Sequence, residues 1–126
     1  MTDKQHAALA GLRVLVAEDD AVIALGLQRT LEQFGCKVLG PAVSVAAALK
    51  ALGEEHPDAA LLDLHLLDGL AVPVAETLSA IGVPFILETG SSRDEADHPI
   101  LRAAAKLRKP FSDDELVHAL VRLVGR

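Results

Sequence analysis

Three carboxylates follow an apolar run near the start of the chain. Residues 12–17 read LRVLVA, and Glu18, Asp19 and Asp20 come directly after them. Two unit charges about 4 Å apart repel by roughly 4 kcal/mol at an effective dielectric near 20, so folding alone does not favour this cluster. Asp20 directly precedes a helical pattern, which favours a helix N-cap. Taken alone, Glu18 or Asp19 could also be a helix N-terminal acid. Together they offer the hard oxygen ligands that Mg²⁺ prefers.

Polar side chains also end three other apolar runs. Asp63 ends a run after Pro57, Thr89 ends VPFILET, and Lys109 ends the strand predicted in the weaker run KLRKP. In an open parallel sheet, ligands bind beyond the carboxyl ends of the strands, so we expect these residues to share one crevice with the acids. Bound Mg²⁺ commonly takes a phosphoryl oxygen as a further ligand. The hydroxyl and the ammonium would then hold the remaining phosphoryl oxygens.

The elements that position these residues alternate between short apolar runs and segments of helical period. Such alternation predicts an α/β fold, a doubly wound parallel sheet with helices on both faces. The predicted strands lie within 12–17, 36–40, 58–63, 83–89 and 106–110, and the predicted helices within 20–35, 45–55, 70–82 and 112–126. A further helix is expected in 91–104. Because that stretch is acidic, polar and broken by Pro99, we expect it to be short or irregular.

Composition narrows the classes of function. The chain of 126 residues suits one domain, predicted to span 12–126 after a polar tail at 1–11. The net charge of −6 and the scarcity of aromatic residues argue against direct nucleic-acid binding. The single cysteine, Cys36, excludes an intrachain disulfide and suits a cytoplasmic protein, with the thiol a small buried hydrophobe. No run is long and apolar enough for a membrane span.

The strand-end residues, in their order, resemble the receiver domain of two-component response regulators. The motifs that carry the resemblance are EDD after the first strand, LLDLHL at the third, LETG at the fourth and KPF after the fifth. Their conjunction at receiver spacing is specific, whereas each alone is weak. The resemblance covers residues 12–124 and implies a flavodoxin-like sheet of five strands in the order 2-1-3-4-5.

Carried onto this chain, the resemblance implies a Mg²⁺ site. Asp19 matches the acid that binds the metal directly, and Glu18 matches its partner, usually linked through water. Asp63 is the third acid of the set. His65, two residues later, matches the position whose backbone carbonyl binds the metal.

The resemblance also implies a phosphoryl-transfer reaction. Asp63 matches the phosphoacceptor, which attacks the phosphohistidine of a sensor histidine kinase. Thr89 matches the hydroxyl that contacts the phosphoryl group, and Lys109 matches the lysine that pairs with it, followed by a usually cis peptide to Pro110. The chain would catalyse only its own phosphorylation and dephosphorylation, so it is not expected to be an enzyme acting on a separate substrate.

Several residues depart from the usual receiver pattern. The loop LLDG after His65 is short and lacks proline, and Lys106 stands where a switch aromatic is usual. VPFILETG resembles the PFxFATGY signature of an atypical, often stand-alone subgroup paired with kinases of the HWE or HisKA2 type, although Glu88 and Ser91 depart from it. We expect the signal to pass through a downstream protein partner, with no direct contact to nucleic acid or membrane.

Three rival interpretations remain. A haloacid-dehalogenase phosphatase needs a second aspartate two residues after the nucleophile, where this chain has His65, and a cap domain. A dinucleotide-binding module needs a glycine-rich turn after the first strand, where acids would repel pyrophosphate. A pseudo-receiver acting without phosphorylation is the serious rival, but its expected mark is the loss of Asp63, Thr89 or Lys109. The chain could be a stand-alone adaptor, a phosphate sink, a relay intermediate or an excised domain.

Overall fold

The central feature of the fold is a parallel sheet of five strands. The computed structural model describes residues 7–90 and 98–125. The strands are β1 (Arg13–Ala17), β2 (Lys37–Ala42), β3 (Ala59–Asp63), β4 (Phe85–Thr89) and β5 (Ala105–Arg108). They pair in the order β2-β1-β3-β4-β5, with every pairing parallel. The predicted flavodoxin-like sheet and its strand order are confirmed.

Helices alternate with these strands along the chain, as a doubly wound fold requires. They are α1 (Ala21–Gln33), α2 (Val45–Glu54), α3 (Val72–Ala80), α4 (Pro99–Arg102) and α5 (Asp113–Val124). The prediction of a short fourth helix is confirmed, since α4 has four residues. Residues 91–97, which belong to the same predicted segment, lie outside the described residues.

The helix starts follow from local side-chain chemistry. The Asp20 carboxylate accepts hydrogen bonds from the first turn of α1, which confirms the predicted N-cap. Ser44 caps α2 in the same way, and Ser112 and Glu115 form the predicted capping box at α5. Pro73 lies in the first turn of α3, where its missing N–H leaves no backbone partner unpaired.

The hydrophobic core forms one layer on each face of the sheet, because alternate strand residues point to opposite faces. Leu62 and Leu87 belong to the layer under α2 and α3, whereas Leu61 and Ile86 belong to the layer under α1 and α5. Burying each such side chain contributes about 1.5–3 kcal/mol. The same alternation decides which face each strand-end polar residue takes.

The described part of the predicted tail contributes to the core. Leu9 is fully buried, and the thiol of Cys36 donates a 3.6 Å hydrogen bond to its carbonyl oxygen. Burial raises the pKa of Cys36 to about 11, so the thiol stays protonated as a small buried group. Residues 1–6 lie outside the described residues, and the boundary at residue 12 stays a prediction.

Candidate metal centre

The carboxyl ends of four strands meet at one edge of the sheet and form an acidic cleft. Ala17 pairs with Leu62, so the residues that follow them, Glu18 and Asp63, leave β1 and β3 side by side. The cleft has a volume of about 450 Å³. Its lining residues are Asp19, Asp63, Leu64, His65, Glu88, Gly90 and Lys109. The predicted convergence of distant strand-end residues is therefore present in the fold.

The oxygens of three acids lie close enough together to hold one cation. Carboxylate oxygens of Glu18, Asp19 and Asp63 all lie within 4.8 Å of one another. Glu18 is buried, and its Oε1 accepts a 3.1 Å hydrogen bond from the backbone N–H of Asp20. Its Oε2 is buried without a hydrogen-bond partner in the described part of the chain. A buried carboxylate oxygen that lacks a hydrogen bond, in a set of hard oxygen donors, fits Mg²⁺.

Lys109 supplies the positive charge at this edge of the sheet. Its Nζ lies 3.2 Å from Asp63 Oδ1 and 3.7 Å from Glu18 Oε2. Burial opposes the charge on Lys109, but the neighbouring carboxylates, Asp63 foremost, outweigh that effect and raise its pKa. The backbone N–H of Lys109 donates to the carbonyl oxygen of Thr89 at 2.8 Å, and the peptide to Pro110 is cis. The ammonium is thus held charged beside the carboxylate of Asp63.

The charge on Glu18 is unfavourable in the cleft without a cation. Burial, with further repulsion from Asp63, raises the pKa of Glu18 to about 7, although the Asp20 N–H and Lys109 oppose the rise. A dication bound beside Glu18 would stabilise its ionised form. The electrostatics of the cleft therefore favour a bound cation, as its oxygen geometry does.

The other two predicted site residues lie at the same edge of the sheet, where His65 lines the cleft and Thr89 is not among its lining residues. Thr89 is the last residue of β4 and is largely buried. His65 is exposed and begins a short hairpin in which His65–Leu66 pairs with Gly69–Leu70. The phosphoryl contact of Thr89 and the metal contact of the His65 carbonyl stay predictions, as do the roles of the three acids and Lys109.

Two residues near the cleft have structural roles that the sequence analysis missed. Glu88 is fully buried and lines the cleft, although it was noted only as a departure from a motif. Asp68, in the loop after His65, accepts hydrogen bonds from the backbone N–H groups of Val45 at 2.6 Å and Ala46 at 3.2 Å. The burial of Glu88 had a signal in the sequence, because a residue two positions after the apolar Ile86 takes the same face of a strand. The role of Asp68 had none, because it depends on a contact with Val45, 23 residues away.

Lys106 is exposed at β5 and does not enter the core. Its ammonium donates hydrogen bonds to the carbonyl oxygens of Arg102 at 2.8 Å and Ala104 at 3.1 Å, at the end of α4. A cation at a helix C-terminus satisfies carbonyl groups that have no partner within the helix. Lys106, at the position where receivers usually have a switch aromatic, therefore binds the carboxyl end of α4.

The family follows from a comparison with known domains. The model of the response regulator receiver domain matches residues 14–121. The chain belongs to that family. The resemblance inferred from the strand-end motifs is therefore confirmed, and the protein is a receiver domain of two-component signalling.

Among curated relatives, the receiver is 36% identical over 118 residues to the transcriptional regulatory protein PrrA of Mycobacterium tuberculosis, covering 90% of this chain and 50% of PrrA. It is 30% identical to the transcriptional regulatory protein PdtaR of the same organism, covering 57% of that protein. The chain thus spans about half the length of the curated relatives it matches.

Solved structures of receiver proteins share the fold. SdrG from Sphingomonas melonis is 36% identical, with a TM-score of 0.76 over 93% of this chain and 98% of SdrG. The receiver domain of a sensor histidine kinase from Pseudomonas aeruginosa is 25% identical, with a TM-score of 0.79 over 93% of this chain and 100% of that domain. That structure has a magnesium ion coordinated in its active-site cleft. Within residues 7–90 and 98–125, no helix has the length and apolar content needed to cross a bilayer.

Proposed function

We propose that the receiver accepts a phosphoryl group on Asp63 from a sensor histidine kinase, with Mg²⁺ held by Glu18, Asp19 and Asp63. The observation that carries this proposal is the setting of the Asp63 carboxylate. One of its oxygens lies 3.2 Å from the Lys109 ammonium, and its carboxylate lies within 4.8 Å of the other two acids. A carboxylate nucleophile that lies beside both an ammonium and a hard-oxygen metal site suits phosphoryl transfer.

The reaction is an in-line displacement at phosphorus. A carboxylate oxygen of Asp63 attacks, the new O–P bond forms, and the P–N bond to the kinase imidazole breaks with its electron pair leaving on nitrogen. When bound, Mg²⁺ supplies charge neutralisation at the phosphoryl oxygens. Lys109 already lies beside Asp63, so its ammonium can pair with the transferred group, and the hydroxyl of Thr89 can donate to it. The backbone carbonyl of His65 would add one oxygen ligand to the metal.

Phosphorylation by a small molecule tests the acceptor without a kinase. The receiver is incubated with acetyl phosphate and Mg²⁺, and its intact mass is measured. We expect a phosphorylated species that is absent in Asp63→Asn and absent when EDTA replaces Mg²⁺. Asp114→Asn is the matched control, because Asp114 is an exposed aspartate on α5 that is not among the residues lining the cleft. An undiminished phosphorylated species in Asp63→Asn would contradict the assignment.

An apolar patch at the start of α1 supports a protein phosphodonor. Val22, Ile23 and Leu25 are exposed at 81%, 45% and 46%, and they follow the cleft acids directly in sequence. Exposed apolar groups beside a reactive site are typical of a protein-docking surface. We expect Val22→Ser to slow phosphotransfer from a cognate kinase, for which the HWE and HisKA2 types are the first candidates. The rate with acetyl phosphate should stay unchanged, and an equal loss with both donors would contradict docking here.

The output is proposed to pass to a downstream protein partner. The described residues form the five-stranded sheet with its helices and one two-stranded hairpin, and the charge of −6 does not favour contact with nucleic-acid phosphates. PrrA and PdtaR are named transcriptional regulators, and the chain covers about half of each. The proposal of a protein partner therefore concerns the receiver alone. Cross-linking of the receiver in cell lysate, with and without beryllofluoride as a phosphoryl mimic, tests for a partner that binds one state only.

A further inference from the structure

Glu88 stands in a row of carboxylates that crosses three strands. Asp63 and Glu88 are register partners in β3 and β4, so their side chains take the same face of the sheet. Ile86, two residues before Glu88, belongs to the core layer under α1 and α5. Val16, two residues before Glu18, belongs to that same layer. Glu18, Asp63 and Glu88 therefore lie at or next to the carboxyl ends of neighbouring strands, on one face of the sheet.

The Glu88 carboxylate is buried and lacks hydrogen bonds from the described residues. The residue is 1% exposed, and neither of its oxygens has a hydrogen-bond partner among the described residues. Lys109 is attracted to Glu88, but its ammonium lies beside Asp63 and Glu18. Burial, with repulsion from Glu18 and Asp63, raises the pKa of Glu88 to about 8. Within residues 7–90 and 98–125 nothing completes the hydrogen bonding of this carboxyl, so a group bound in the cleft is a candidate partner for it.

A direct bond from Glu88 to the metal is not what the geometry favours. Within the described residues, the acids whose oxygens lie within 4.8 Å of one another are Glu18, Asp19 and Asp63. Glu88 lines the same cleft but is not a member of that set. Mg²⁺ retains several waters when it binds few protein ligands, and those waters are donors that a nearby carboxylate can accept from.

We propose that Glu88 is a fourth acid of the cation site, which strengthens the binding of Mg²⁺ and weakens the binding of the phosphoryl group through its negative charge. The proposal deepens the function proposed above and rests on the Mg²⁺ site described there. Its two effects have opposite signs because the cation and the phosphoryl group carry opposite charges. A purely structural role of Glu88 would instead weaken both, since a disturbed cleft would hold neither group well.

Two titrations of the free protein by NMR test this inference. The first follows backbone amide shifts with Mg²⁺ alone, and the second follows beryllofluoride at saturating Mg²⁺, both at pH 8.5. We expect Glu88→Gln to weaken Mg²⁺ binding roughly tenfold and to tighten beryllofluoride binding. A tenfold change is the size of effect that follows from removing one charge a few Å from the cation at an intermediate dielectric. Glu88→Asp keeps the charge and should restore both affinities. Glu76→Gln removes a charge from an exposed position on α3 and should change neither.

The two affinities of Glu88→Gln, for Mg²⁺ and for beryllofluoride, decide whether Glu88 acts as a fourth acid. Weaker Mg²⁺ binding with tighter beryllofluoride binding in Glu88→Gln, restored in Glu88→Asp, supports the inference. Losses of both affinities, or affinities equal to those of the wild type, overturn the role of Glu88 and leave the proposed function standing. If the wild-type receiver itself shows no Mg²⁺-dependent shifts at the cleft, the metal site and the inference fall together.

Discussion

Replacing Glu88 with glutamine should remove much of the pH dependence of the receiver's stability. The folded protein holds the proton of this carboxyl up to a pH of about 8, whereas an ordinary glutamate loses it near 4.5. Between these values the folded state binds more protons than the unfolded state, so the free energy of unfolding falls as the pH rises. This contribution is fully present below about pH 4.5 and is lost as the pH passes through about 8.

The magnitude follows from the two pKa values. A difference from 4.5 to about 8 corresponds to at most roughly 5 kcal/mol, at about 1.4 kcal/mol for each tenfold change in the proton equilibrium. Relaxation around a buried charge reduces such values, so we expect Glu88 to contribute a loss of about 2–4 kcal/mol in the wild type between pH 5 and pH 9, beside the contribution of Glu18, which both proteins keep. That is a large share of the roughly 5–15 kcal/mol that stabilises a typical domain.

The assay is urea unfolding, followed by circular dichroism in EDTA, at half-unit steps of pH. The quantity compared is the change in unfolding free energy with pH, because the neutral glutamine amide has its own burial cost at every pH. The wild-type curve should fall more steeply than the Glu88→Gln curve between pH 5 and pH 9. Parallel curves, within about 0.5 kcal/mol over the whole range, would refute the buried, unpaired state of Glu88.

Other predictions concern backbone strain, signalling and the metal. Gly40→Ala should destabilise by about 1–3 kcal/mol, because φ is 88° there and the new Cβ would lie 2.7 Å from a backbone nitrogen. Gly53→Ala, in a helix with open space around it, should stabilise slightly in the same urea assay. Beryllofluoride should shift amide resonances across 98–104 in the wild type and in Lys106→Ala, but much less in Thr89→Ala; loss in Lys106→Ala alone would contradict this route. Millimolar Mg²⁺ should raise the midpoint of thermal unfolding, and EDTA should reverse it; an unchanged midpoint would count against the cation site.

Features that depend on local chemistry were predictable from the sequence. Ser44 and Ser112 cap their helices through bonds to N–H groups three residues ahead, so their neighbours in sequence suffice to identify them. The sheet was predictable because its strands are short apolar runs between helical segments. The convergence of Asp63 and Lys109 followed once the strands were taken as parallel, since their carboxyl ends must share an edge.

Features that depend on strand register or on distant contacts were not predictable in the same way. Glu88 was noted as a departure from a motif, whereas its place beside Asp63 depends on which residues of β3 and β4 are partners. Leu9 lies in a segment interpreted as a polar tail, but it fills a space in the core. Tertiary packing decides each of these positions.

The hydrogen bonds from the start of α2 to Asp68 couple that helix to the loop that follows His65. The loop is fastened at two points, since the Asp68 carboxylate holds the first N–H groups of α2 and the N–H of Leu67 donates to the carbonyl oxygen of Val43. Any displacement of this loop must therefore carry the start of α2 with it, or break charge-assisted hydrogen bonds to stay independent. A rearrangement that begins at the cleft can thus also move α2, which lies on the opposite side of the sheet's midline from α4 and β5.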